Sequence, residues 1–518
     1  MSKNMKIDAT TLPETQVSYT TDNATLQRLY DLCEEMAKKN IQIFLDKKVL
    51  VEGSYYPNVW LETQPMGGEM YAKRNMEVAL NNQLIFMENQ REDGRIPGMV
   101  SVVEGKLHAD FAWFQGYCFP LPALKMYYWM KKDRGYLQQL YDVLEGFDSY
   151  LWKYRDSDGD GCLETWCVWD TGEDHCTRLA GAPDSWDGET PPSGLGQVPY
   201  ASMDVMSYSC SGRDVLALIS QELGNGKEAY WQEKANEVRE KINAYLWRPD
   251  KHACYDRDCH NEFMDVLTHN NLRVMYFGGF SQEMADEFIA FHMLNPDEFW
   301  TTMPLPSIAA NDPLFRNIAS NDWSGQPQGL TYQRAIQALE NYGHYAEITL
   351  LGKIYLSVLE KHLFFPQQID PFTAEPSKAK DGYGPAILSV LEYHSRLYGV
   401  SISMDHVYWG GLQDGEFERT YTQQWGQDIF TLESKDGFFS GYINGKKVFQ
   451  ATHGIRIVTD LHGNIKEIIG IDTVSTAVYL EVENQVYSFT IKPNEVCVIQ
   501  NDGVISKQQV PFDYPFAQ

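Results

Sequence analysis

The periodicity of apolar residues changes near residue 400, and this change limits the chain to two unlike regions. Between about residues 25 and 400, apolar residues recur at helical spacing, for example at Leu26, Leu29 and Leu32. After residue 400, short runs alternate apolar and polar residues, as in 438–443. A chain of 518 residues also exceeds the usual size of a single core. The sequence therefore predicts a large, mainly α domain followed by a smaller β domain.

Amphipathic helices joined by long aromatic, glycine-rich and proline-rich loops are predicted before residue 400, where strand signals are sparse. A helix late in this region should carry Ile348, Leu351 and Tyr355 on one face. The other predicted helices cover residues 26–44, 76–87, 136–154, 215–223, 229–246 and 332–342.

Antiparallel hairpins are predicted after residue 400, because turn sequences such as Asp436-Gly437 and Asn444-Gly445 separate the alternating runs. No linker rich in proline or serine precedes this region, so we expect it to pack on the helical domain as an accessory rather than to act as a carbohydrate-binding module. The predicted strands cover 428–432, 438–443, 455–458, 477–482 and 486–491. The predicted domains are an N-terminal extension (1–24), a catalytic helical domain (25–400) and a C-terminal β domain (401–518).

The net charge of −28 argues against nucleic acid and anionic membranes as partners, because both are negatively charged. We therefore expect a neutral substrate, or one that pairs locally with the few cations of the chain. The sequence has neither an apolar signal core at its start nor a transmembrane span, and its nine cysteines are odd in number and scattered. These features predict a cytoplasmic protein with reduced thiols.

The segment 166–175 combines several carboxylates and indoles in a short stretch. It holds the carboxylates Asp170, Glu173 and Asp174 together with the indoles of Trp166 and Trp169. Glycoside hydrolysis uses a carboxyl group of raised pKa as proton donor, and flat apolar surfaces suit pyranose rings. A tight acidic turn with two core tryptophans is the alternative interpretation.

Three further loops in the helical region combine aromatic and acidic or amide residues. The first, 56–71, contains Trp60, Glu62 and Glu69. The second, 108–117, contains Trp113. The third, 321–328, contains Trp323 and Gln326.

These segments resemble motifs of glycoside hydrolase family 63 and its mannosylglycerate-hydrolase-like relatives. Segment 166–175 resembles Trp-(Asp/Glu)-Ser-Gly-x-Asp, and 89–98 resembles Gln-x-x-Asp-Gly-x-Ile-Pro. Segment 321–328 is similar to the family's Trp-Arg-Gly-Pro loop, although Ser324 replaces the Arg and Gln326 replaces the Pro. The resemblance implies an (α/α)6 barrel (a six-hairpin glycosidase) with its site at one rim. It also implies an inverting enzyme that cleaves an α-glucosidic or α-mannosidic bond in a small glycoside, with Asp174 as general acid.

The general base is harder to assign, because the family's base position holds Gln367, whose amide cannot accept a proton at neutral pH. An inverting enzyme needs a second carboxylate roughly 6.5–9.5 Å from the acid. The replacements considered are Glu375, Asp370, Glu62 and Glu69; the alternatives are that the chain is an altered variant or that the chemistry differs. The predicted catalytic residues are Asp174 and Glu375. The predicted substrate-binding residues are Trp60, Glu62, Glu69, Trp113, Trp169, Asp170, Trp323, Gln326 and Gln367.

No cofactor is predicted. The run 156–161 begins like a calcium-binding EF-hand loop, but Cys167 stands where a bidentate Glu is required. A structural calcium ion near Asp156, Asp158 and Asp160 and a hydrogen-bonded turn are both left open. Cysteine and histidine spacings match no standard zinc pattern. A sugar epimerase or isomerase on the same barrel and a non-catalytic sugar-binding protein are the rival functions, and the sugar and the oligomeric state stay open.

Overall fold

The computed structural model describes residues 11–53, 55–377, 381–413, 415–483, 485–500, 503–512 and 514. Residues 1–10 of the predicted N-terminal extension lie outside this described part. Between residues 24 and 398 the described chain is mainly helical. Its α-helices are α1 (Ala24–Lys39), α2 (Gln64–Tyr71), α3 (Met76–Glu88), α4 (Pro120–Trp129), α5 (Arg134–Tyr154), α6 (Met203–Leu223), α7 (Glu228–Lys241), α8 (Asn270–Tyr276), α9 (Gln282–Phe288), α10 (Gly329–Glu340), α11 (Tyr345–His362) and α12 (Gly384–Tyr398).

Capping residues and local geometry determine where the helices begin and end, and the apolar pattern of the sequence does not show these positions. The Asn23 side chain accepts a hydrogen bond from the Leu26 backbone N–H and starts α1. This helix ends before Asn40, so the prediction that it continues to residue 44 is wrong: Ile41–Phe44 is a strand. Helix α6 begins at Met203, well before the predicted residue 215. The prediction missed this start because nearly all residues of the helix are buried, so its sequence lacks an amphipathic pattern.

The strands are short in the helical region and long after residue 400. Those before residue 400 are β1 (Thr15–Thr21), β2 (Ile41–Phe44), β3 (Lys47–Leu50), β4 (Val59–Trp60), β5 (Met99–Val103), β6 (Lys106–Asp110), β7 (Glu164–Thr165), β8 (Tyr200–Ala201), β9 (Trp247–Arg248) and β10 (Ala253–Cys254). Those after it are β11 (Val400–Ser403), β12 (His406–Gly411), β13 (Arg419–Trp425), β14 (Asp428–Lys435), β15 (Phe438–Ile443), β16 (Lys446–Thr452), β17 (Ile455–Asp460), β18 (Ile465–Gly470), β19 (Thr476–Val482), β20 (Gln485–Ile491), β21 (Glu495–Gln500) and β22 (Gly503–Gln509).

The C-terminal strands form two antiparallel sheets, one in the order β1-β13-β14-β15-β16-β19-β20 and one in the order β11-β12-β17-β18-β21-β22. The two sheets face each other across Trp409 of β12, whose ring contacts Phe430 and Phe449 of the other sheet. The predicted hairpin turns are present: Asp436-Gly437 and Asn444-Gly445 each have positive φ at both residues. This geometry matches the right-handed twist of the flanking strands.

The N-terminal segment belongs to the C-terminal sheet. Strand β1 pairs with β13 along its whole length, from Thr15 opposite Trp425 to Thr21 opposite Arg419. The prediction that residues 1–24 form a separate extension missed this pairing, because a single strand carries no signal for its distant partner.

The β region packs directly against the helical domain. Arg456 of β17 forms a buried ion pair with Glu340 of α10 at 2.8 Å. The indole N–H of Trp425 donates to the Trp129 carbonyl at 2.9 Å. A Cβ at Gly410 would overlap the Arg396 carbonyl, so the approach of β12 to α12 requires glycine. Within the described residues, no helix combines the length and apolar character that a membrane-spanning segment needs.

Candidate active site

The loops that precede and follow the helices converge on one cavity of about 310 Å³. Its walls combine four tryptophans, three carboxylates and three side-chain amides. The lining residues are Glu52, Tyr56, Asn58, Trp60, Glu62, Met99, Trp113, Gln115, Trp169, Gly172, Asp174, Trp323 and Gln367.

Asp174 lies at the junction of two loops. Its backbone carbonyl accepts a hydrogen bond from the Trp323 N–H at 3.0 Å, which ties the acidic segment to loop 321–328. Burial raises the pKa of the Asp174 carboxyl, while hydrogen bonds from Asn321 and Trp169 oppose that shift. A carboxyl group with a raised pKa can hold a proton above the pH at which an exposed aspartate loses it.

A chain of hydrogen bonds through two side-chain amides connects Asp174 to Tyr56. The Tyr56 hydroxyl donates to Oε1 of Gln367 at 2.8 Å. Gln367 Nε2 donates to Asn321 Oδ1 at 2.6 Å. Asn321 Nδ2 then donates to Asp174 Oδ2 at 2.7 Å. We call these four residues the amide relay. Gln367 uses both ends of its amide in the relay, and the relay ends on the Oδ2 atom of the Asp174 carboxyl.

Glu62 sits beside the loop of Asp174 and is held from two sides. Its Oε1 accepts from Gln115 Nε2 at 3.0 Å, and its Oε2 pairs with Arg334 at 3.1 Å. A Cβ at Gly172 would overlap Glu62 Oε2, so this packing requires glycine two residues before Asp174. Burial raises the pKa of Glu62, and the guanidiniums of Arg334 and Arg273 oppose that shift.

The aromatic walls present both ring faces and N–H groups. Trp113 and Trp169 meet edge to face with their ring centroids 5.0 Å apart. The indole nitrogens of Trp60, Trp113 and Trp323 are buried without a hydrogen-bond partner among the described residues. Unpaired buried donors beside a cavity are suited to accepting groups of a ligand.

A buried network of ion pairs holds the acidic segment 166–175 in place. Glu173 and Asp204 both pair with Arg178, at 2.5 and 2.8 Å, and Asp256 pairs with it as well. Asn270 Nδ2 donates to Glu173 at 3.0 Å. This network fixes the residue next to Asp174, which is how a catalytic loop is held rigid.

The sequence profile of the mannosylglycerate hydrolase MGH1-like glycoside hydrolase domain matches residues 61–384, more than half of the chain. The chain belongs to this glycoside hydrolase family. The match confirms the resemblance seen in the sequence and makes the protein a glycoside hydrolase. No curated protein matches the chain.

Solved glycosidase structures share the fold at low identity. The GH63 mannosylglycerate hydrolase from Thermus thermophilus, in complex with Tris, superposes with a TM-score of 0.58 at 16% identity, covering 70% of this chain and 100% of that one. The same enzyme in complex with glucose gives a TM-score of 0.56 at 16% identity, covering 70% of this chain and 99% of that one. The neutral trehalase from Saccharomyces cerevisiae gives 0.52 at 13% identity, covering 70% of this chain and 79% of that one.

The hydrolase brings together most of the residues predicted for its site. Asp174, Trp60, Glu62, Trp113, Trp169, Trp323 and Gln367 all line the cavity. Ser324, at the family's Arg position, accepts from the Thr177 N–H at 2.8 Å and so joins the two loops.

Three predicted substrate-binding residues lie in the surrounding structure instead of the cavity wall. Asp170 is fully buried and pairs with Arg155 at 2.5 Å, which makes it a support for the loop. Glu69 accepts from the Trp129 indole at 3.0 Å. Gln326 is buried and donates to Asn317 at 2.8 Å.

Glu375 does not face Asp174. Its side chain is 52% exposed and lies 3.6 Å from Lys361 and 3.9 Å from His362. The expectation that the loop turns this carboxylate inward is therefore wrong. The Glu375 N–H donates to the Thr373 hydroxyl, and the Asp370 N–H donates to the Glu375 carbonyl. These bonds hold the loop in a conformation that leaves the Glu375 side chain in solvent.

Four residues of the site are not among those predicted from the sequence: Glu52, Tyr56, Gln115 and Asn321. Glu52 lies just outside the aromatic loops, after β3, and is 6% exposed. A carboxylate followed by glycine at the end of a strand was the available signal, but this pattern is common in turns.

The proposed calcium position remains a prediction. The carboxylates of Asp156, Asp158 and Asp160 have ligand atoms within 4.8 Å of one another. Asp160 also lies 4.0 Å from Lys241, and the three carboxylates accept backbone hydrogen bonds within their own turn. These bonds are those of the alternative, a hydrogen-bonded acidic turn.

Proposed function

We propose that this glycoside hydrolase cleaves an α-glucosidic or α-mannosidic bond of a small neutral glycoside with inversion, and that Asp174 is its general acid. One observation carries the proposal: Asp174 lines an aromatic cavity, and burial raises its pKa. A glycosidic oxygen leaves as an alcohol only if it is protonated, so a carboxyl group with a raised pKa is a suitable donor.

The size and lining of the cavity support a small substrate. Its volume of about 310 Å³ is at the lower end of small-molecule sites. The indoles of Trp60, Trp113, Trp169 and Trp323 offer apolar surface to a sugar ring, while Gln115 and Asn58 offer hydrogen bonds to hydroxyls.

The proposal includes an (α/α)6 barrel as the scaffold. Helix α12 packs against α1, so the last helix of the region meets the first, and α10 packs against both α8 and α12. A closed ring of helices would bring its loops to one rim, in keeping with the convergence of loops on the cavity.

Two rival functions are less well supported. Epimerases and isomerases of this type shuttle protons with histidine pairs, whereas the lining residues of this cavity among the described residues include three carboxylates and no histidine. A purely sugar-binding role leaves the raised pKa of Asp174 without a purpose.

Incubation of the wild-type protein with a panel of α- and β-linked glucosides and mannosides tests the proposal. The ¹H NMR spectrum recorded before mutarotation should show the β-anomer released from an α-glycoside. Release of the α-anomer would contradict inversion. Binding of sugars without cleavage of any panel member would contradict hydrolysis, and interconversion of free sugars would favour the epimerase.

A further inference from the structure

The cavity holds a carboxylate on the same wall as Gln367 that no sequence motif indicated. Among the described lining residues, the carboxylates are Asp174, Glu62 and Glu52. We propose that Glu52 is the general base of this hydrolase and replaces the carboxylate that the family carries at position 367. This inference rests on the proposed inverting hydrolysis and assigns the residue that the mechanism lacks.

Backbone hydrogen bonds bring Glu52 next to the loop segment that carries Gln367. The Gly384 N–H donates to the Glu52 carbonyl at 2.6 Å. The Tyr383 N–H donates to the Phe365 carbonyl at 3.0 Å, and Phe365 precedes Gln367 by two residues. The three segments therefore run side by side, and the Glu52 side chain enters the cavity from the wall of the family's base position.

Glycine allows this close approach. A Cβ at Gly53 would lie 2.9 Å from the Gly382 carbonyl oxygen, closer than real Cβ atoms come to such an atom. Gly53 also pairs with Tyr56 in an isolated bridge. Glu52 and Tyr56 both line the cavity.

The Glu52 carboxylate is held in place by a tyrosine hydroxyl. It accepts a hydrogen bond from the Tyr383 hydroxyl, and Tyr383 packs edge to face on Tyr56 with ring centroids 6.3 Å apart. Burial raises the pKa of the Tyr56 hydroxyl, and the negative charges of Glu52 and Asp174 raise it further. Tyr56 therefore lies within electrostatic reach of both carboxylates, which enter the cavity from different loops.

Glu62 is less suited to the base role. It lies on the side of the acid, against Gly172, and both of its oxygens are bonded, to Gln115 and Arg334. Attack with inversion requires the base on the face of the sugar opposite to the acid. Glu62 is better suited to holding the substrate or the loop.

Gln367 has a different task from a base. As part of the amide relay, it accepts from Tyr56 and donates to Asn321, which orients the donor that Asn321 gives to Asp174. A carboxylate at position 367 has no N–H to donate to Asn321 Oδ1, so two acceptors would lie against each other. The relay explains why a glutamine suits this position in an active enzyme.

The reaction balances with these two residues. A water molecule loses one proton to the Glu52 carboxylate while its oxygen bonds to the anomeric carbon. The bond from that carbon to the glycosidic oxygen breaks, its electron pair stays on the oxygen, and the oxygen takes the proton of Asp174. The products are the free sugar of inverted configuration and the alcohol, with Glu52 protonated and Asp174 ionised.

The test compares Glu52→Gln, Glu62→Gln and the control Glu240→Gln, at an exposed position of α7, on the best substrate of the wild type. We expect Glu52→Gln to lower kcat about 10²–10⁴-fold, the usual contribution of a general base. The control should retain wild-type kcat. Circular dichroism and binding of the free sugar product show whether each variant is folded, and Glu52→Asp, which keeps a carboxylate, should retain part of the activity.

Azide gives a readout that a structural role would not move, because this anion attacks without losing a proton. Glu52→Ala with added azide should form the glycosyl azide of inverted configuration, and Glu62→Ala should not. Glu52→Gln with near wild-type kcat, or azide product from Glu62→Ala alone, would overturn the role of Glu52. A wild type that cleaves no glycoside would instead overturn the proposed function, and the role of Glu52 with it.

Discussion

Asn321 donates a hydrogen bond from Nδ2 to Oδ2 of Asp174 over 2.7 Å, and its own Oδ1 accepts from Gln367. A donor to the ionised carboxylate favours the charged form, so this bond lowers the pKa that burial raises. The amide relay thus sets how far the pKa of the proposed acid rises above its ordinary value.

Removal of this donor should move the pH profile. Activity requires protonated Asp174, so kcat/KM falls as pH rises through the pKa of this residue. In Asn321→Leu the Asp174 carboxylate loses its donor, its pKa rises, and the alkaline limb should shift to higher pH. Profiles of kcat/KM against pH for wild type and variant measure this. An unchanged alkaline limb, or one at lower pH, would contradict the role of the relay.

Glu375 provides a direct choice between the base predicted from the sequence and the one inferred from the structure. Its carboxylate is 52% exposed beside Lys361, so Glu375→Gln should leave kcat and KM within about twofold of wild type, as surface substitutions do. Steady-state kinetics on the same substrate as for Glu52→Gln give the comparison. A loss of kcat in Glu375→Gln as large as that in Glu52→Gln would show that Glu375 is the general base.

His344 should make stability fall at alkaline pH. This buried histidine lies 2.8 Å from both Glu347 and Asp286, which raise its pKa to about 9 although burial opposes the shift. A raised pKa means that the folded state binds the proton more tightly. The resulting stability is complete below about pH 6.5 and is lost as pH rises through about 9, with a size on the order of 3 kcal/mol.

Thermal unfolding between pH 6 and 10 tests this expectation. The Tm of the wild type should drop across that window, and His344→Gln should have a lower Tm at pH 6 with a flatter profile. A variant whose Tm follows the same pH dependence as the wild type would show that other groups cause it.

The β region should be inseparable from the helical domain. Arg456 pairs with Glu340, and the pair of Glu340 with Arg396 lies next to it at 3.1 Å. Truncation after residue 399 removes Arg456 and leaves β1 without its partner β13. We expect the truncated chain to aggregate or to unfold at a much lower Tm. Limited proteolysis of the full chain that releases a stable C-terminal fragment would contradict this account.

Sequence reasoning found features that depend on local pattern. The strand Phe438–Ile443 has its predicted bounds, because alternation and two flanking turns fix both ends. Helix α5 starts two residues before its predicted start and ends at Tyr154, as expected from its amphipathic face. Asp174 and the tryptophans of the cavity were predicted from short segments rich in indoles and carboxylates and from the resemblance of those segments to family motifs.

Features that depend on long-range pairing were not predictable. The pairing of β1 with β13 joins a strand that precedes the helical domain to a strand that follows it. Glu52 reaches the cavity because its carbonyl bonds to Gly384, and nothing in the local sequence indicates that partner. Asp170 has the residue type of a sugar ligand, yet its partner is Arg155, which only the fold brings near.

The general acid is the central claim, and Asp174→Asn tests it most directly. The substitution removes the proton donor but keeps the side-chain shape, so folding and affinity for the sugar should persist. The variant should be assayed on an unactivated disaccharide-type substrate and on an aryl glycoside with a good leaving group, beside the wild type. We predict a kcat loss of about 10²–10⁴-fold on the first substrate and a much smaller loss on the second, because a good leaving group needs little protonation. Near wild-type turnover of the unactivated substrate by Asp174→Asn would contradict the account.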